Sequence, residues 1–184
     1  LLTEAGWKDS DDDGIRDKVI NGKKTPLIIN VVIVGNEVSK SNMAILKEDA
    51  IKAGVSIETE TVTGAQLLRT KLPARDFDAF TLASSFDLDL FDPYQLWHTA
   101  SDTPGGSNRV GFGNAETDAI IEEIRKTNDN SRRKELYIQF QKIIYEEQPW
   151  VTLYRPLDRV VINSKFKNAK TTLQSPGYIE RLFH

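Results

Sequence analysis

Apolar and polar positions alternate along the amino-terminal half of the chain in a way that predicts strands separated by helices. Residues 27–34 form a continuous run rich in β-branched side chains, which is typical of a buried strand. Residues 43–53 place apolar side chains at helical spacing and are followed by Gly54, which favours the end of a helix. Residues 55–62 predict a second strand.

The same alternation continues once more. Residues 64–72 predict a helix that Pro73 ends, and residues 77–83 predict a third, short strand. Strands joined by helix-length segments pair in parallel through right-handed crossovers. The predicted fold class is therefore α/β, with a mainly parallel sheet flanked by helices.

The second half of the chain predicts two longer helices with apolar faces. One covers residues 115–127, with Asn114 as the candidate N-cap. The other runs from the candidate N-cap Ser131 to about residue 148, before Pro149. Late strands are predicted at residues 150–154 and 159–163.

Composition narrows the class of protein. The chain has 184 residues, 39% hydrophobic and 28% charged, which indicates one globular domain over residues 1–184. A formal net charge of −3 argues against nucleic acid as a partner, and the lack of cysteine excludes thiol catalysis and disulfides. No apolar run is long enough to span a bilayer.

Residues 1–7 read as the last turn of a helix stopped by Gly6, so we expect a piece of a larger protein.

The candidate functional segment is residues 84–113, which lack clear periodicity and are long for a connection. The segment begins where the third strand ends, and parallel sheets bind ligands outside the carboxyl ends of their strands. Asp87, Asp89 and Asp92 are interleaved with apolar residues, a pattern suited to holding a cation against an aromatic wall. The alternative is a solvated turn formed by Asp92 and Pro93.

A second acidic segment has the spacing of a calcium-binding loop. Asp9, Asp11 and Asp13 stand at alternating positions before Gly14, and Asp17 follows the glycine by three residues. The twelfth position is Ile20, where a complete loop of this type carries a bidentate glutamate. The alternative is an acidic turn that binds no metal. We expect the protein to have no cofactor.

Two further features admit a catalytic interpretation. Asp87 and Asp89 would share one face of a strand and could act as an acid and a base. His98 could serve as a ligand or base, although a packing or surface role is expected for it. The chain contains no Ser-His-Asp set, phosphate loop or zinc signature.

An ordered set of short sequences resembles the carboxyl-terminal lobe of family 5 extracellular solute-binding proteins, the oligopeptide- and dipeptide-binding type. The set comprises residues 1–7 (LLTEAGW), 9–17 (DSDDDGIRD), 76–79 (DFDA), 92–93 (DP), 107–108 (SN), 111–114 (GFGN), 118 (D), 132–137 (RRKELY) and 148–154 (QPWVTLY). The resemblance implies a type II periplasmic-binding-protein-like lobe. The chain would form most of that lobe, and the amino-terminal lobe would be absent.

The resemblance also implies a ligand site. The family holds the peptide's α-ammonium with an aspartate four positions before a proline, which corresponds to Asp89. Phe86 stands where many relatives carry tryptophan, so the aromatic wall remains but the indole donor is lost. Ser85, Asp87 and Leu88 are the other candidate ligand contacts.

The implied function is that of the substrate-binding component of an ABC importer, which is not an enzyme. Its expected partners are an oligopeptide or dipeptide, a membrane permease and the missing lobe. The expected location is the periplasm or the cell surface, where a lipid anchor could precede the missing lobe. There are two alternatives. The protein could bind another solute, such as a nickel complex or an oligosaccharide, or the lobe could be reused as an interaction domain.

Overall fold

The computed structural model describes residues 1–83, 91–154, 160–172 and 177–178. The chain divides into two compact units, Leu1–Tyr145 and Glu146–His184. The described elements are, in chain order, β1 (Asp17–Ile20), β2 (Lys23–Pro26), β3 (Ile28–Val34), α1 (Glu37–Lys52), β4 (Ser56–Val62), α2 (Gly64–Gln66), a π-helical turn (Leu67–Lys71), α3 (Leu72–Ala74), β5 (Ala79–Phe80), α4 (Tyr94–Trp97), a 3₁₀ turn (Thr99–Ser101), α5 (Ala115–Lys126) and α6 (Asn130–Glu147).

Strands β4, β3 and β5 form a parallel sheet in that order. β3 pairs with β4 along its whole length, from Ile28 opposite Ser56 to Val34 opposite Val62. β5 is shorter than predicted and pairs with β3 through two residues only. The predicted strand, helix, strand, helix, strand order with parallel pairing is confirmed for this part of the chain.

The core of the sheet is built on the two faces of β3. Val32 packs on one face with Val62, Leu67 and Leu72. Val31 and Ile33 point to the opposite face, where they pack against Met43 of α1. Neighbouring residues of a strand point to opposite faces, so a continuous β-branched run serves both cores at once.

Helix α1 begins six residues before the predicted range, because its first turns are polar and carry no periodic signal. Asn36 is the N-cap, and its side-chain oxygen accepts a hydrogen bond from the Ser39 N–H at 2.9 Å. Gly54 follows the helix with a φ of +74°, which is the left-handed conformation that glycine adopts readily. The predicted end of the helix is therefore confirmed.

Pro73 does not end the next helix, which continues to Ala74. A π-helical turn precedes Pro73, and Leu72 N–H donates to the Leu67 carbonyl across it. The wide turn changes the hydrogen-bond register, so a residue without an N–H is accommodated in the last turn. Arg75, with a φ of +52°, ends the helix instead.

The antiparallel hairpin of β1 and β2 was not predicted. Ile20 pairs with Lys23, so Asn21 and Gly22 form a two-residue loop. Both loop residues have positive φ, +51° and +76°, as a type I′ turn requires. The Asn-Gly pair was the sequence signal that could have found this hairpin.

The turn at the amino terminus agrees with its predicted shape. The Trp7 N–H donates to the Leu2 carbonyl at 2.9 Å, and the Gly6 N–H donates to the Thr3 carbonyl at 3.0 Å. With Gly6 at a φ of +87°, this pair of bonds is a Schellman motif, which closes a helical turn.

Helices α4, α5 and α6 share a separate core. Trp97, Ile121 and Phe140 are buried together there, and Leu136 is buried on α6. Asn114 caps α5 as predicted, through a reciprocal pair of hydrogen bonds with Thr117. Asp129, and not Ser131, caps α6, because its side-chain oxygen accepts from the Ser131 N–H at 2.8 Å.

In the unit Glu146–His184, the predicted late strands are not found in residues 150–154 and 160–163, the described parts of those two predictions. The isolated bridge between Thr171 and Tyr178 is the pairing that the described residues of this unit show. Val151 and Val161 are exposed, so neither of these apolar side chains lies on the buried face of a strand. None of the described helices combines the length and the apolar character needed to cross a membrane.

Removing Leu67 from the core should destabilise this chain much more than removing its neighbour Leu68. The Leu67 side chain is 0% exposed and Leu68 is 55% exposed, although both lie in the same π-helical turn. We expect Leu67→Ala to lower the free energy of unfolding by about 2–5 kcal/mol. Leu68→Ala should change it by about 0.5 kcal/mol. Urea unfolding of the two variants checks this, and equal losses would contradict the packing of the turn.

Candidate functional site

The predicted ligand contacts Ser85, Phe86, Asp87, Leu88 and Asp89 lie outside the described residues. The residues on both sides of them are described. On the amino-terminal side, β5 pairs with the buried strand β3, and the Thr81 N–H donates to the Val32 carbonyl at 3.0 Å. The chain therefore leaves the sheet at the carboxyl end of β5, as the sequence predicted.

On the carboxyl-terminal side, residues 91–94 are held by contacts to α5 and α6. The Asp92 carboxylate forms an ion pair with the Arg125 Nε at 3.1 Å and accepts a hydrogen bond from the Tyr94 N–H at 3.0 Å. The Tyr137 hydroxyl donates to the Phe91 carbonyl. Asp92, the third carboxylate of the predicted acidic segment, therefore has a structural role as a turn former.

Arg125 also lies over the Tyr94 ring, with its guanidinium carbon 4.3 Å from the ring centroid. The same guanidinium thus meets a carboxylate and an aromatic face, a combination that suits its planar, delocalised charge. Sequence analysis missed Arg125 and Tyr137 because they lie on helices distant in sequence from the acidic segment.

Burial raises the pKa of the Tyr137 phenol above its ordinary value. The negative charge of Asp92 raises this pKa further, whereas the positive charge of Arg133 lowers it. The phenol therefore keeps its proton at neutral pH and remains a hydrogen-bond donor to the Phe91 carbonyl.

Residues 98–113 form an ordered turn around the buried side chain of Asn108. Its amide nitrogen donates to the His98 carbonyl at 3.3 Å and to the Phe112 carbonyl at 2.6 Å. Its amide oxygen accepts from the Phe112 N–H at 3.3 Å. Arg75 reaches this turn from the end of α3, where it donates to the Asn108 carbonyl at 3.1 Å and pairs with Asp102. This part of the predicted long loop is therefore folded.

His98 has the packing role that was predicted for it. The side chain is buried, its ring stacks on Tyr94 at 4.2 Å, and its Nδ1 accepts a hydrogen bond from the Ala100 N–H. The Nε2 atom lies 3.7 Å from a Glu122 carboxylate oxygen. Because Nδ1 is an acceptor, the neutral ring carries its proton on Nε2, on the side of Glu122.

The acidic segment near the amino terminus brings together three of its four predicted carboxylates. Carboxylate oxygens of Asp9, Asp11 and Asp17 lie within 4.8 Å of one another, and Asp13 is not part of this group. Asp13 instead accepts a hydrogen bond from the Ile15 N–H. Asp9 likewise serves the turn, because its carboxylate accepts from the Gly14 N–H at 2.9 Å.

A lysine supplies positive charge to this group. The Lys24 Nζ lies 2.5 Å from an Asp11 oxygen and 3.3 Å from an Asp17 oxygen. The Ser10 N–H and hydroxyl donate to Asp17 as well. These contacts stabilise the turn without a metal ion, which favours the acidic-turn alternative. The carboxylate oxygens are also ligands that a calcium ion accepts.

Comparison with known proteins identifies the class. The chain is 31% identical over 172 residues to the oligopeptide-binding protein AppA of Bacillus subtilis, and the match covers 92% of the chain and 31% of that protein. It is 26% identical to the di/tripeptide-binding protein 2 of Pseudomonas aeruginosa, over 72% of the chain and 24% of that protein. No protein-family model matches the chain.

The solved structure of the Bacillus subtilis AppA protein with a nonapeptide superposes on 80% of the chain and 29% of its own length, with a TM-score of 0.70 and 30% identity. The fold is that of the type II periplasmic binding proteins. The chain is similar over most of its length to family 5 extracellular solute-binding proteins of the oligopeptide-binding type, which confirms the resemblance read from the sequence. The chain spans about three tenths of the length of the relatives it matches.

Millimolar calcium should leave the melting temperature of this chain unchanged, because the Lys24 ammonium already pairs with two of the three clustered carboxylates. A calcium site filled at a hundred times its dissociation constant would add about 2.7 kcal/mol. Such a gain would raise the midpoint by several degrees at this length. Thermal unfolding with calcium or EDTA measures the effect.

The control for calcium is Lys24→Gln, which removes the ammonium and leaves the carboxylates in place. Any stabilisation by calcium should be confined to this variant, since only there do Asp11 and Asp17 lack their lysine. A rise of several degrees in the unsubstituted chain would show that the acidic segment is a calcium site.

Asp17 should contribute to stability at neutral pH and lose that contribution in acid. Hydrogen bonds from the Ser10 hydroxyl, followed by the Ser10 N–H and Lys24, lower the pKa of Asp17, although burial opposes them. A lowered pKa means that the stabilisation is complete above the ordinary value of 3.8 and declines as the pH falls through the folded-state value. The difference in melting temperature between the unsubstituted chain and Asp17→Asn should therefore shrink below about pH 3.8. Asp12→Asn, which changes an exposed carboxylate of the same turn, is the matched control.

Proposed function

We propose that this chain is most of the carboxyl-terminal lobe of a two-lobed substrate-binding component of an ABC importer. The complete protein would bind peptides in the cleft between its lobes and deliver them to a membrane permease. The observation that carries the proposal is the similarity to an oligopeptide-binding protein over 92% of the chain, with a matching fold.

The single-lobe assignment for residues 1–184 has two supports. The matched relatives are much longer than this chain, which covers 31% of the Bacillus subtilis protein. The described parallel sheet also has helices on both faces, with α1 on one and the α2 to α3 segment on the other. A second lobe would have to supply the opposite wall of the cleft.

Asp89 is the proposed partner of the peptide's α-ammonium, with Phe86 as an aromatic wall and Ser85, Asp87 and Leu88 as neighbouring contacts. An ionised aspartate that accepts a hydrogen bond from an ammonium contributes about 1.5–3 kcal/mol. The anchored flanks support this proposal. The chain leaves β5 at the carboxyl end of the sheet, and residues 91–94 are held by side chains of α5 and α6.

The proposed binding mode explains a broad choice of peptides. A peptide backbone can hydrogen-bond to main chain like an added strand, which is independent of the peptide's side chains. The protein would return its ligand unchanged, with Asp87 and Asp89 as ligand contacts and His98 in a packing role. No cofactor is required by this mechanism.

The proposed location is outside the cytoplasm, in the periplasm or at the cell surface. A binding protein that supplies an importer has to meet its solute before the solute crosses the membrane. Mass spectrometry of ligands that copurify with the full-length protein would identify the solute class directly.

In the full-length protein, Asp89→Asn should weaken the binding of free peptides by about 2–5 kcal/mol, roughly thirty-fold or more. The substitution keeps the size of the side chain but leaves the buried ammonium without a charged partner. Asp87→Asn is the matched control, two residues away, and should cost much less. Isothermal titration with di- to pentapeptides measures both.

N-acetylated peptides provide the chemical control, since they have no ammonium. They should discriminate less between the unsubstituted protein and Asp89→Asn than free peptides do. Unchanged binding of free peptides by both variants would contradict the ammonium site. A larger loss for Asp87→Asn would show that the register counted from Pro93 is wrong.

A further inference from the structure

We propose that His98 is a proton-binding site that releases the turn after α4 when the pH falls through the range in which histidine titrates. The two nitrogens of its ring have different roles. Nδ1 accepts a hydrogen bond from the Ala100 N–H at 3.0 Å. Nε2 is buried and has no hydrogen-bond partner among the described residues. The inference concerns described residues only and is independent of the proposed function.

The His98 side chain is held in place by its surroundings. It is 7% exposed, and its ring stacks on the Tyr94 ring with 4.2 Å between the centroids. The His98 carbonyl accepts hydrogen bonds from the Ser101 N–H at 2.9 Å and from the Asn108 side chain at 3.3 Å. Because both the ring and the backbone are packed, the ring has little freedom to turn away from its neighbours.

Two carboxylates of α5 face the two nitrogens of the ring. An Asp118 oxygen lies 3.5 Å from Nδ1, and a Glu122 oxygen lies 3.7 Å from Nε2. Asp118 also accepts hydrogen bonds from the Thr99 N–H at 2.9 Å and from the Thr99 hydroxyl, so its position is fixed by the same turn. Negative charge on both sides favours a positively charged ring, whereas burial opposes it.

The cations near this group lie one step further out. Lys126 pairs with Glu122 at 2.8 Å, and the Arg125 guanidinium lies over the Tyr94 ring at 4.3 Å. The hydrogen bond and the charge of Lys126 lower the pKa of Glu122, desolvation opposes them, and positive charge on His98 lowers this pKa further. Glu122 is therefore ionised in the pH range in which histidine titrates.

The hydrogen bonds determine which nitrogen takes the second proton. Because Nδ1 accepts from the Ala100 N–H, the neutral ring carries its proton on Nε2. An added proton must bind to Nδ1, and a protonated Nδ1 cannot accept a hydrogen bond. The bond from Ala100 is then lost, and the Nδ1–H faces the Asp118 carboxylate instead. A metal ion would need a free electron pair on Nε2, which this neutral ring does not offer, so the ligand is the proton.

The lost bond belongs to the cap of the 3₁₀ turn Thr99–Ser101. His98 is the N-cap of this turn, and its side chain is the acceptor that holds the Ala100 N–H. The next link is the Ser101 carbonyl, which accepts a hydrogen bond from the N–H of the buried Asn108 at 3.2 Å. We therefore expect proton binding to loosen the turn first at Ala100 and then toward Asn108.

Amide hydrogen exchange of residues 99–102 in the full-length protein, corrected for the intrinsic effect of pH on exchange, tests the proposal. Protection of the Ala100 N–H should fall about two- to ten-fold between about pH 8 and about pH 5, as loss of one hydrogen bond predicts. His98→Asn keeps an oxygen that can accept from the N–H two residues on but cannot take up the proton, so its protection should stay constant. Constant protection in the unsubstituted protein, or an equal fall in His98→Asn, would overturn the proposal.

A second pair of variants tests the charge that faces Nε2. Glu122→Gln removes this charge, so the loss of protection should move to lower pH. Glu123→Gln is the matched control, because the neighbouring carboxylate pairs with Arg132 at 2.7 Å and should leave the pH range unchanged. No shift in Glu122→Gln, or the same shift in both variants, would contradict the site. If His98→Asn does not fold, this pair decides the question.

Discussion

Burial of β3 on both faces is the constraint on which the sheet of this protein depends. Val32 packs against the α2 to α3 segment, whereas Val31 and Ile33 pack against α1. Val31, Val32 and Ile33 are buried, so both neighbouring strands must pair with this part of β3 in one register. The pairing with β4 over seven residues satisfies this requirement, and β5 adds a short third strand.

That register determines where the chain leaves the sheet. In parallel strands the carboxyl ends lie at one edge, and the connection after β5 begins at this edge. The connection returns to described structure at Phe91, where Tyr137 and Arg125 hold the backbone and the next side chain. The sheet and the helical core therefore each fix one end of the proposed binding segment.

Buried polar groups give the helical part its unique arrangement. Asn108 uses both its amide nitrogen and its amide oxygen to fix residues 98–112. A buried amide whose atoms lacked these partners would cost more free energy than the hydrogen bonds themselves contribute. The Gly113 backbone, with a φ of +119°, lies so close to Trp97 that a Cβ would be 2.8 Å from the Trp97 carbonyl oxygen. The hydrogen bonds of Asn108 and the close approach of the Gly113 backbone to Trp97 together define this turn.

The sequence by itself determined the elements whose signals are local. The β-branched run of β3, the apolar face of α5 and its Asn114 cap were all predicted, because period and capping depend on residues a few positions apart. Local signals also misled in places. Ser131 was the predicted cap of α6, whereas Asp129 caps it, and the apolar residues Val151 and Val161 suggested strands that the described residues do not form.

Only the tertiary structure decided which distant side chains meet. Tyr137 reaches Phe91 across 46 positions, and Arg75 reaches the Asn108 carbonyl across 33. Within the acidic segment, the fold brings together the carboxylates of Asp9, Asp11 and Asp17 but not that of Asp13. It also places Lys24 of the hairpin strand β2 beside them. Sequence periodicity records the face on which a residue lies, but a contact between two elements depends on how both pack, and that is set by the shared core.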